Sequence, residues 1–88
     1  MEITSQLLGE TMDLRLKGRL DGYWADHLSQ ALEQTMRDGH HHIRLDMSEV
    51  AYLSSLGIRV LVTFYKKLGE IEGTFVVSEA SVTVKKVL

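Results

Sequence analysis

Two runs of alternating apolar and polar residues open the chain, at residues 2–7 and 11–17. A period of two is typical of a β-strand with one buried and one exposed face. Gly9-Glu10 lies between the runs, where a tight two-residue turn favours a glycine with positive φ. The pattern therefore predicts a β-hairpin at the start of the chain.

After residue 22 the apolar residues recur three and four positions apart, which indicates an amphipathic helix from about Tyr23 to Asp38. Trp24 shares this spacing and is predicted to belong to the core, and Gly39 is typical of a helix end. Alternation returns at residues 43–47 and predicts a strand. A strand that returns across a helix lies parallel to the strand before it, and we expect the crossover to be right-handed.

A second helical stripe follows Ser54-Ser55, whose hydroxyls are suited to cap the free N–H groups of a helix start. Its inward positions are predicted to be Gly57, Val60, Leu61, Phe64 and Leu68. Residues 74–78 form a nearly continuous apolar run, which is typical of a parallel strand covered on both sides. The order ββαβαβ predicts an α/β layer sandwich with a mixed sheet. Residues 82–88 fit either a short third helix that begins near Ser81 or a further strand, because several of them are β-branched.

Composition limits what the protein can do. Its 88 residues are enough for one domain, and 44% hydrophobic with 25% charged residues is typical of a chain that buries a core. Ten Lys and Arg against twelve Asp and Glu lack the basic excess that nucleic-acid binding requires. The absence of cysteine excludes disulfides and suits the cytoplasm. The sequence has neither a signal-peptide pattern nor about 20 consecutive apolar residues, so we expect no membrane insertion.

Motifs for catalysis or cofactor binding are weak. His40-His41-His42 suggests metal binding, but successive residues of a strand point to opposite faces and cannot converge on one ion. Nothing in the sequence places a histidine beside a serine as a catalytic triad requires, and the glycines do not form a phosphate-binding loop. We therefore expect neither an enzyme nor a bound metal or cofactor.

Residues 45–61, LDMSEVAYLSSLGIRVL, resemble the signature of the STAS domain, which is shared by bacterial anti-sigma factor antagonists and the cytoplasmic ends of sulphate transporters. The likeness consists of a strand ending in Asp-aliphatic-Ser, a short connector and a helix start of the form Ser-x-Gly-aliphatic-Arg. Gly18-Arg19-Leu20-Asp21 is similar to the Gly-x-aliphatic-Asp that ends the second strand in this family. The resemblance implies a single STAS domain at residues 1–88, with a C-terminus shorter than is usual in the family.

The resemblance also implies a set of site residues. Free-standing family members carry a serine two residues before the glycine of the motif, which a kinase-type anti-sigma factor phosphorylates. This acceptor corresponds to Ser55, with Ser54 as the less favoured choice. Ser54 replaces an aspartate that is frequent before the acceptor, and Leu56 replaces a small residue after it. Asp21 and Asp46 match acidic positions that lie near the acceptor in the family. The predicted partner-binding residues are Asp21, Asp46, Ser54, Ser55, Ile58, Arg59, Val62 and Tyr65.

Two alternatives remain open for these residues. Ser54 and Ser55 can serve only as a helix cap, or Ser55 can accept a phosphate, which the positive end of a helix tolerates well. The stripe formed by Ile58, Val62 and Tyr65 can be covered by a neighbouring helix, or it can bind a partner beside Ser55.

The resemblance thus implies a cytoplasmic anti-sigma factor antagonist that binds an anti-sigma factor with serine-kinase activity and releases it when Ser55 is phosphorylated. A serine phosphatase would reset the switch. The alternative is a STAS subunit that is never phosphorylated and belongs to a larger assembly, such as a lipid transporter or a stress-sensing complex. Residues 82–88 are expected either to mediate weak self-association into a homo-oligomer or to close the domain as a compact monomer.

Overall fold

The structure is a computed structural model, and it describes residues 1–78. The elements are β1 Glu2–Leu8, β2 Thr11–Leu20, α1 Gly22–Arg37, β3 His42–Leu53, α2 Ser55–Glu70 and β4 Thr74–Ser78. This order confirms the predicted ββαβαβ arrangement and the mixed α/β fold. The third helix or further strand expected at residues 82–88 lies outside the described residues, as does the surface predicted for self-association.

One four-stranded sheet, in the order β1-β2-β3-β4, organises the fold. β1 and β2 form the predicted antiparallel hairpin, in which Leu8 pairs with Thr11 and Gly9 has a φ of 64°. β2 lies parallel to β3, and β3 lies parallel to β4. Both parallel connections advance in the same direction across the sheet, so right-handed crossovers place α1 and α2 on the same face.

The core lies between this face of the sheet and the two helices, where alternate strand residues meet the inward stripes of α1 and α2. Its fully buried members include Leu16, Leu20, Leu28, Leu32, Ile43, Leu45, Met47, Phe64 and Leu68. Within residues 1–78 no helix covers the opposite face. β4 is therefore covered on one side only, with Phe75 buried and Val76 52% exposed. The prediction that this strand is covered on both sides was wrong because both helices pack on one face.

β2 and β3 continue well beyond the alternating segments that predicted them, to Leu20 and Leu53. Their pairing shifts register twice, between residues 15 and 17 and between residues 18 and 19. Beyond these irregularities β3 buries Val50 and Leu53, which are three residues apart, instead of every second residue. The period of two is lost there, which is why the sequence pattern ended the strand near Met47.

α1 begins at Gly22 because the preceding residue caps it. Asp21 Oδ1 accepts a hydrogen bond from the backbone N–H of Trp24 at 3.0 Å. The Trp24 ring is partly buried against the core, in line with the predicted core position, and its centroid lies 4.9 Å from that of the His27 ring. The cap thus holds Asp21 and Gly22 at the carboxyl end of β2.

Candidate functional site

The carboxyl ends of β2 and β3 meet at one edge of the sheet, and each strand leads directly into a helix. The backbone N–H of Ser54 donates to the carbonyl oxygen of Leu20 at 3.0 Å, which joins the two strand ends. Asp21 and Ser54, the residues that follow the strands, are the N-caps of α1 and α2. The two helix starts therefore lie side by side at this edge of the molecule.

Ser54 is the structural cap of α2. Its Oγ accepts a hydrogen bond from the backbone N–H of Gly57 at 3.1 Å, and its own backbone is extended, with φ −80° and ψ 165°. A serine in this position satisfies one of the N–H groups that have no partner within the helix. The cap function predicted for the pair of serines therefore belongs to Ser54.

Ser55 is the first residue of α2, and it is exposed. Its hydroxyl forms no hydrogen bond with the described part of the chain, residues 1–78. The first turn of α2 carries no acidic residue, and the unpaired N–H groups of a helix start favour negative charge. An accessible hydroxyl at this place can accept a phosphoryl group without loss of the cap.

Leu56 links the two helix starts. A Cβ atom built on Gly22 would lie 2.9 Å from Leu56 Cδ1, so the glycine leaves room for the leucine side chain. Leu56 is nonetheless 49% exposed beside Ser55. The residue that departs from the small side chain usual in STAS domains is thus a half-exposed apolar group that rests against α1.

Gly57 faces the core, as the sequence predicted. A Cβ atom at this position would lie 2.9 Å from Leu53 Cδ1 and 3.0 Å from Leu20 Cγ. Both leucines are buried, so they have little room to move. The lack of a side chain at Gly57 therefore lets the first turn of α2 pack closely on the ends of β2 and β3.

Arg59 lies one turn after Ser55, on the flank of α2 that faces α1. It lines a groove between the helices, together with Gly22, Ala25, Asp26, Ser29, Leu56 and Val60. The Arg59 side chain is exposed, and neither of the two ion pairs within residues 1–78 includes it. Its positive charge is therefore available to a group added near the start of α2.

The second apolar stripe of α2 is largely uncovered. Val62 is 47% exposed and Tyr65 is 66% exposed, whereas Ile58 is partly buried against the core. The two exposed side chains border an apolar groove whose other lining residues are Leu61, Phe75 and Val77. Within residues 1–78 no neighbouring helix covers Val62 and Tyr65, so the interpretation of this flank as a covered surface does not hold for them.

The two predicted aspartates lie apart. Asp21 lies at the helix starts, where its carboxylate caps α1. Asp46 pairs with Arg15 in the middle of the sheet, and β2 then advances five residues, about 16 Å at ~3.3 Å per residue, before it ends at Leu20. Asp46 therefore does not lie beside Ser55, and this part of the prediction was wrong. The error arose because β3 was expected to end soon after this aspartate.

Asp46 has a local structural role instead. The residue is only 7% exposed, and its carboxylate accepts a hydrogen bond from the backbone N–H of Ser48 at 3.0 Å and lies 3.4 Å from Nε of Arg15. The backbone N–H and side chain of Ser48, together with the Arg15 cation, hold the pKa of Asp46 below its ordinary value, although burial opposes them. The sequence pattern gave no sign of the Arg15 contact, because strand register alone brings the two residues together.

The described residues contain no group of three His, Asp or Glu side chains that could hold a metal ion. His42 Nδ1 lies 3.0 Å from Thr74 Oγ1, which places this histidine in the pairing of β3 with β4.

Neither helix of residues 1–78 has the length and apolar character needed to cross a membrane.

Comparison with known proteins adds three relatives. BtrV of Bordetella bronchiseptica, named as an anti-sigma factor antagonist, is 26% identical over 87 residues, which are 99% of this chain and 75% of BtrV. A solved anti-sigma factor antagonist from Mycobacterium paratuberculosis is 28% identical, with a TM-score of 0.78 over 86% of this chain and 64% of that one. The anti-sigma factor antagonist SpoIIAA in its unphosphorylated form is 19% identical, with a TM-score of 0.82 over 99% of this chain and 81% of that one. The phosphorylated form of Bacillus SpoIIAA gives a TM-score of 0.81 at 19% identity, over 98% and 79%.

At 19% identity the likeness to SpoIIAA shows the fold alone. The sequence model of the STAS domain, however, matches residues 2–88. The match includes both helix starts and every strand and helix described above. The chain belongs to the STAS domain family.

Proposed function

We propose that this STAS domain is an anti-sigma factor antagonist, a non-enzymatic module that binds an anti-sigma factor with serine-kinase activity and releases it when Ser55 is phosphorylated. The observation that carries the proposal is the separation of roles between two adjacent serines. Ser54 holds the cap of α2, and Ser55 presents an exposed hydroxyl. The names of BtrV and the Mycobacterium relative support the antagonist function.

Phosphorylation would change the charge of the edge that carries both helix starts. The kinase transfers the γ-phosphoryl group of ATP to Ser55 Oγ, ADP leaves, and the hydroxyl proton passes to solvent. The phosphoserine carries about −1.5 to −2 charges at pH 7. Asp21 already lies at the adjacent helix start. The phosphate would add to this negative charge and weaken the binding of a partner that fits the unphosphorylated protein.

The exposed apolar residues Val62 and Tyr65, which we call the docking surface, support a reversible interface on the same helix as the acceptor. Apolar groups with polar neighbours are typical of binding sites on soluble proteins. A phosphate at the start of this helix would alter binding without refolding the domain. A serine phosphatase in the same cytoplasmic compartment would restore the bare form.

One observation favours a second candidate function. Leu56 is a bulky, half-exposed side chain next to Ser55, and it restricts how closely a kinase active site can approach the hydroxyl. A STAS subunit that is never phosphorylated, and that uses the docking surface for a constant contact in a larger assembly, would tolerate such a residue. The two candidates differ in whether Ser55 is modified.

Incubation with the organism's anti-sigma factor kinase and ATP, followed by intact-mass measurement, tests the proposal. We expect one added phosphate, which peptide fragmentation assigns to Ser55. The Ser55→Ala variant should accept none. Ser54→Ala is the matched control, because it loses the cap but keeps the acceptor and should still be phosphorylated. No added phosphate on the parent protein, or a phosphate on Ser54 alone, would contradict the proposal and favour the second candidate.

A further inference from the structure

We propose that Arg59 binds the phosphate on Ser55 and acts as an intramolecular phosphate clamp. This inference rests on the proposed function, because it concerns the phosphorylated form of the same site. Arg59 would be a positioning residue on α2, one turn after the acceptor Ser55 and the cap Ser54. The clamp would define the surface that a partner or a phosphatase meets after phosphorylation.

Helix geometry places Arg59 within reach of the acceptor. Residues four apart on a helix are neighbours on one face, with about 5–6 Å between their Cβ atoms. Long helical side chains extend over the turn on the N-terminal side of their own Cα atom, which for Arg59 is the turn that begins with Ser55. Arg59 also lines the groove that contains Gly22 and Leu56, which belong to the two helix starts.

Arg59 also lacks a competing partner in the bare protein. Neither ion pair within residues 1–78 includes it. Asp26 lines the same groove, but its carboxylate accepts a hydrogen bond from Gln30 Nε2 at 3.1 Å and forms no ion pair with Arg59. The planar fork of a guanidinium matches the oxygens of a phosphate and can donate two parallel hydrogen bonds. A phosphate on Ser55 would therefore meet a cation that no described carboxylate has neutralised.

A clamp has a consequence for charge mimics of the phosphorylated state. A carboxylate at position 55 carries about half the charge of a phosphoserine, has fewer acceptor oxygens and is shorter. Such a side chain would satisfy the helix start but would not span the turn to Arg59 in the same way. The clamped phosphoserine and an aspartate would thus present different surfaces to a partner.

The test uses the intact chain with phosphoserine installed at position 55 by genetic encoding, so that no kinase is required. The second pKa of the phosphate is then followed by 31P NMR. Asp21, which caps α1, and Asp26, which lines the groove with Arg59, disfavour the dianion in every variant, whereas Arg59 favours it. Arg59→Gln should raise the phosphate pKa by about 0.3 pH units, and Arg59→Lys by less. The difference should largely vanish in 1 M NaCl.

Arg37→Gln is the matched control, because it removes the same charge from the last turn of α1, at the opposite end of that helix. It should leave the phosphate pKa unchanged. The Nε–H signal of Arg59 should also shift on phosphorylation, whereas that of Arg37 should not. An unchanged pKa in Arg59→Gln, or an equal change in Arg37→Gln, would overturn the clamp. If the pKa test fails while the kinase still modifies Ser55, the clamp is wrong and the proposed function stands. If the pKa test succeeds but the kinase does not modify Ser55, Arg59 can bind the phosphate but the proposed function is wrong.

Discussion

α1 and α2 are both 16 residues long and begin side by side, yet their starts are built differently. The carboxylate of Asp21 caps α1, whereas the neutral hydroxyl of Ser54 caps α2. A carboxylate already supplies the negative charge that a helix start favours, and a hydroxyl does not. The start of α2 therefore retains its affinity for negative charge, and the next residue, Ser55, is the one that can acquire it.

Glycines at the two helix starts show a second difference. At Gly22, a Cβ atom would meet only the end of the half-exposed Leu56 side chain. At Gly57, it would meet two buried leucines, Leu20 and Leu53. The start of α1 can thus adjust to an added side chain, while the start of α2 is fixed against the core. Because the start of α2 is fixed against the core, a phosphate on Ser55 would change the surface that a partner meets and would not alter the fold.

The largest expected effect concerns the close packing of the start of α2 on the core. Gly57→Leu should lower the free energy of unfolding by about 1–3 kcal/mol, because the new side chain overpacks the core. Gly69→Leu is the matched control on the same helix, since Gly69 is exposed and has no atom within 4 Å of an added Cβ. We expect the control to be neutral or slightly stabilising in urea unfolding. Equal stability of Gly57→Leu and the parent would show that α2 is not packed closely on the strand ends.

The next effect separates the two serines. Ser54→Ala should cost about 1 kcal/mol through loss of the cap, which lowers the melting temperature by about 4–8 °C for a domain of this size. Ser55→Ala should stay within about 0.5 kcal/mol of the parent, because its hydroxyl has no described partner. Calorimetry of the two single variants decides the matter. A larger loss for Ser55→Ala than for Ser54→Ala would reverse the roles assigned to them.

Asp46, in the middle of the sheet, should make the stability of the domain sensitive to acid. The pKa of Asp46 is lowered in the folded protein, so its contribution to stability is present above the ordinary aspartate pKa of about 3.9 and is lost as the pH falls through the folded value. Asp46→Asn should therefore be less stable than the parent at pH 6, and the difference should shrink toward pH 3. A stability difference between parent and Asp46→Asn that does not change with pH would contradict this assignment.

The smallest effect is expected for a charge placed at the acceptor. Ser55→Asp should fold like the parent, because a carboxylate at a helix start gains about 0.3–1 kcal/mol from the helix dipole. Its affinity for the partner should nevertheless fall. A melting temperature more than about 10 °C below the parent would mean that the serine is structural, since about 1 kcal/mol corresponds to 4–8 °C.

The sequence predicted the features that depend on local periodicity. The hairpin, both helices and the inward position of Gly57 followed from apolar spacing. The acceptor position at Ser55 rests on the STAS resemblance and stays a prediction. The full length of β3 did not follow from apolar spacing, because the register shifts beside Lys17 and Gly18 remove its alternation. The contacts of Leu56 with Gly22 and of Asp46 with Arg15 join residues more than 30 positions apart, and no local pattern encodes such distances.

The most direct measurement of a switch at the start of α2 is the affinity of the anti-sigma factor for two forms of this chain. One form is bare, and the other carries phosphoserine installed at position 55. We expect binding to the phosphorylated form to be at least about tenfold weaker, because the phosphate would bring about −1.5 to −2 charges and added bulk into the contact. Phosphoserine at the exposed Ser5 of β1 is the control and should leave the affinity unchanged. Equal affinity for the bare and Ser55-phosphorylated forms would contradict a phosphorylation switch at this helix start.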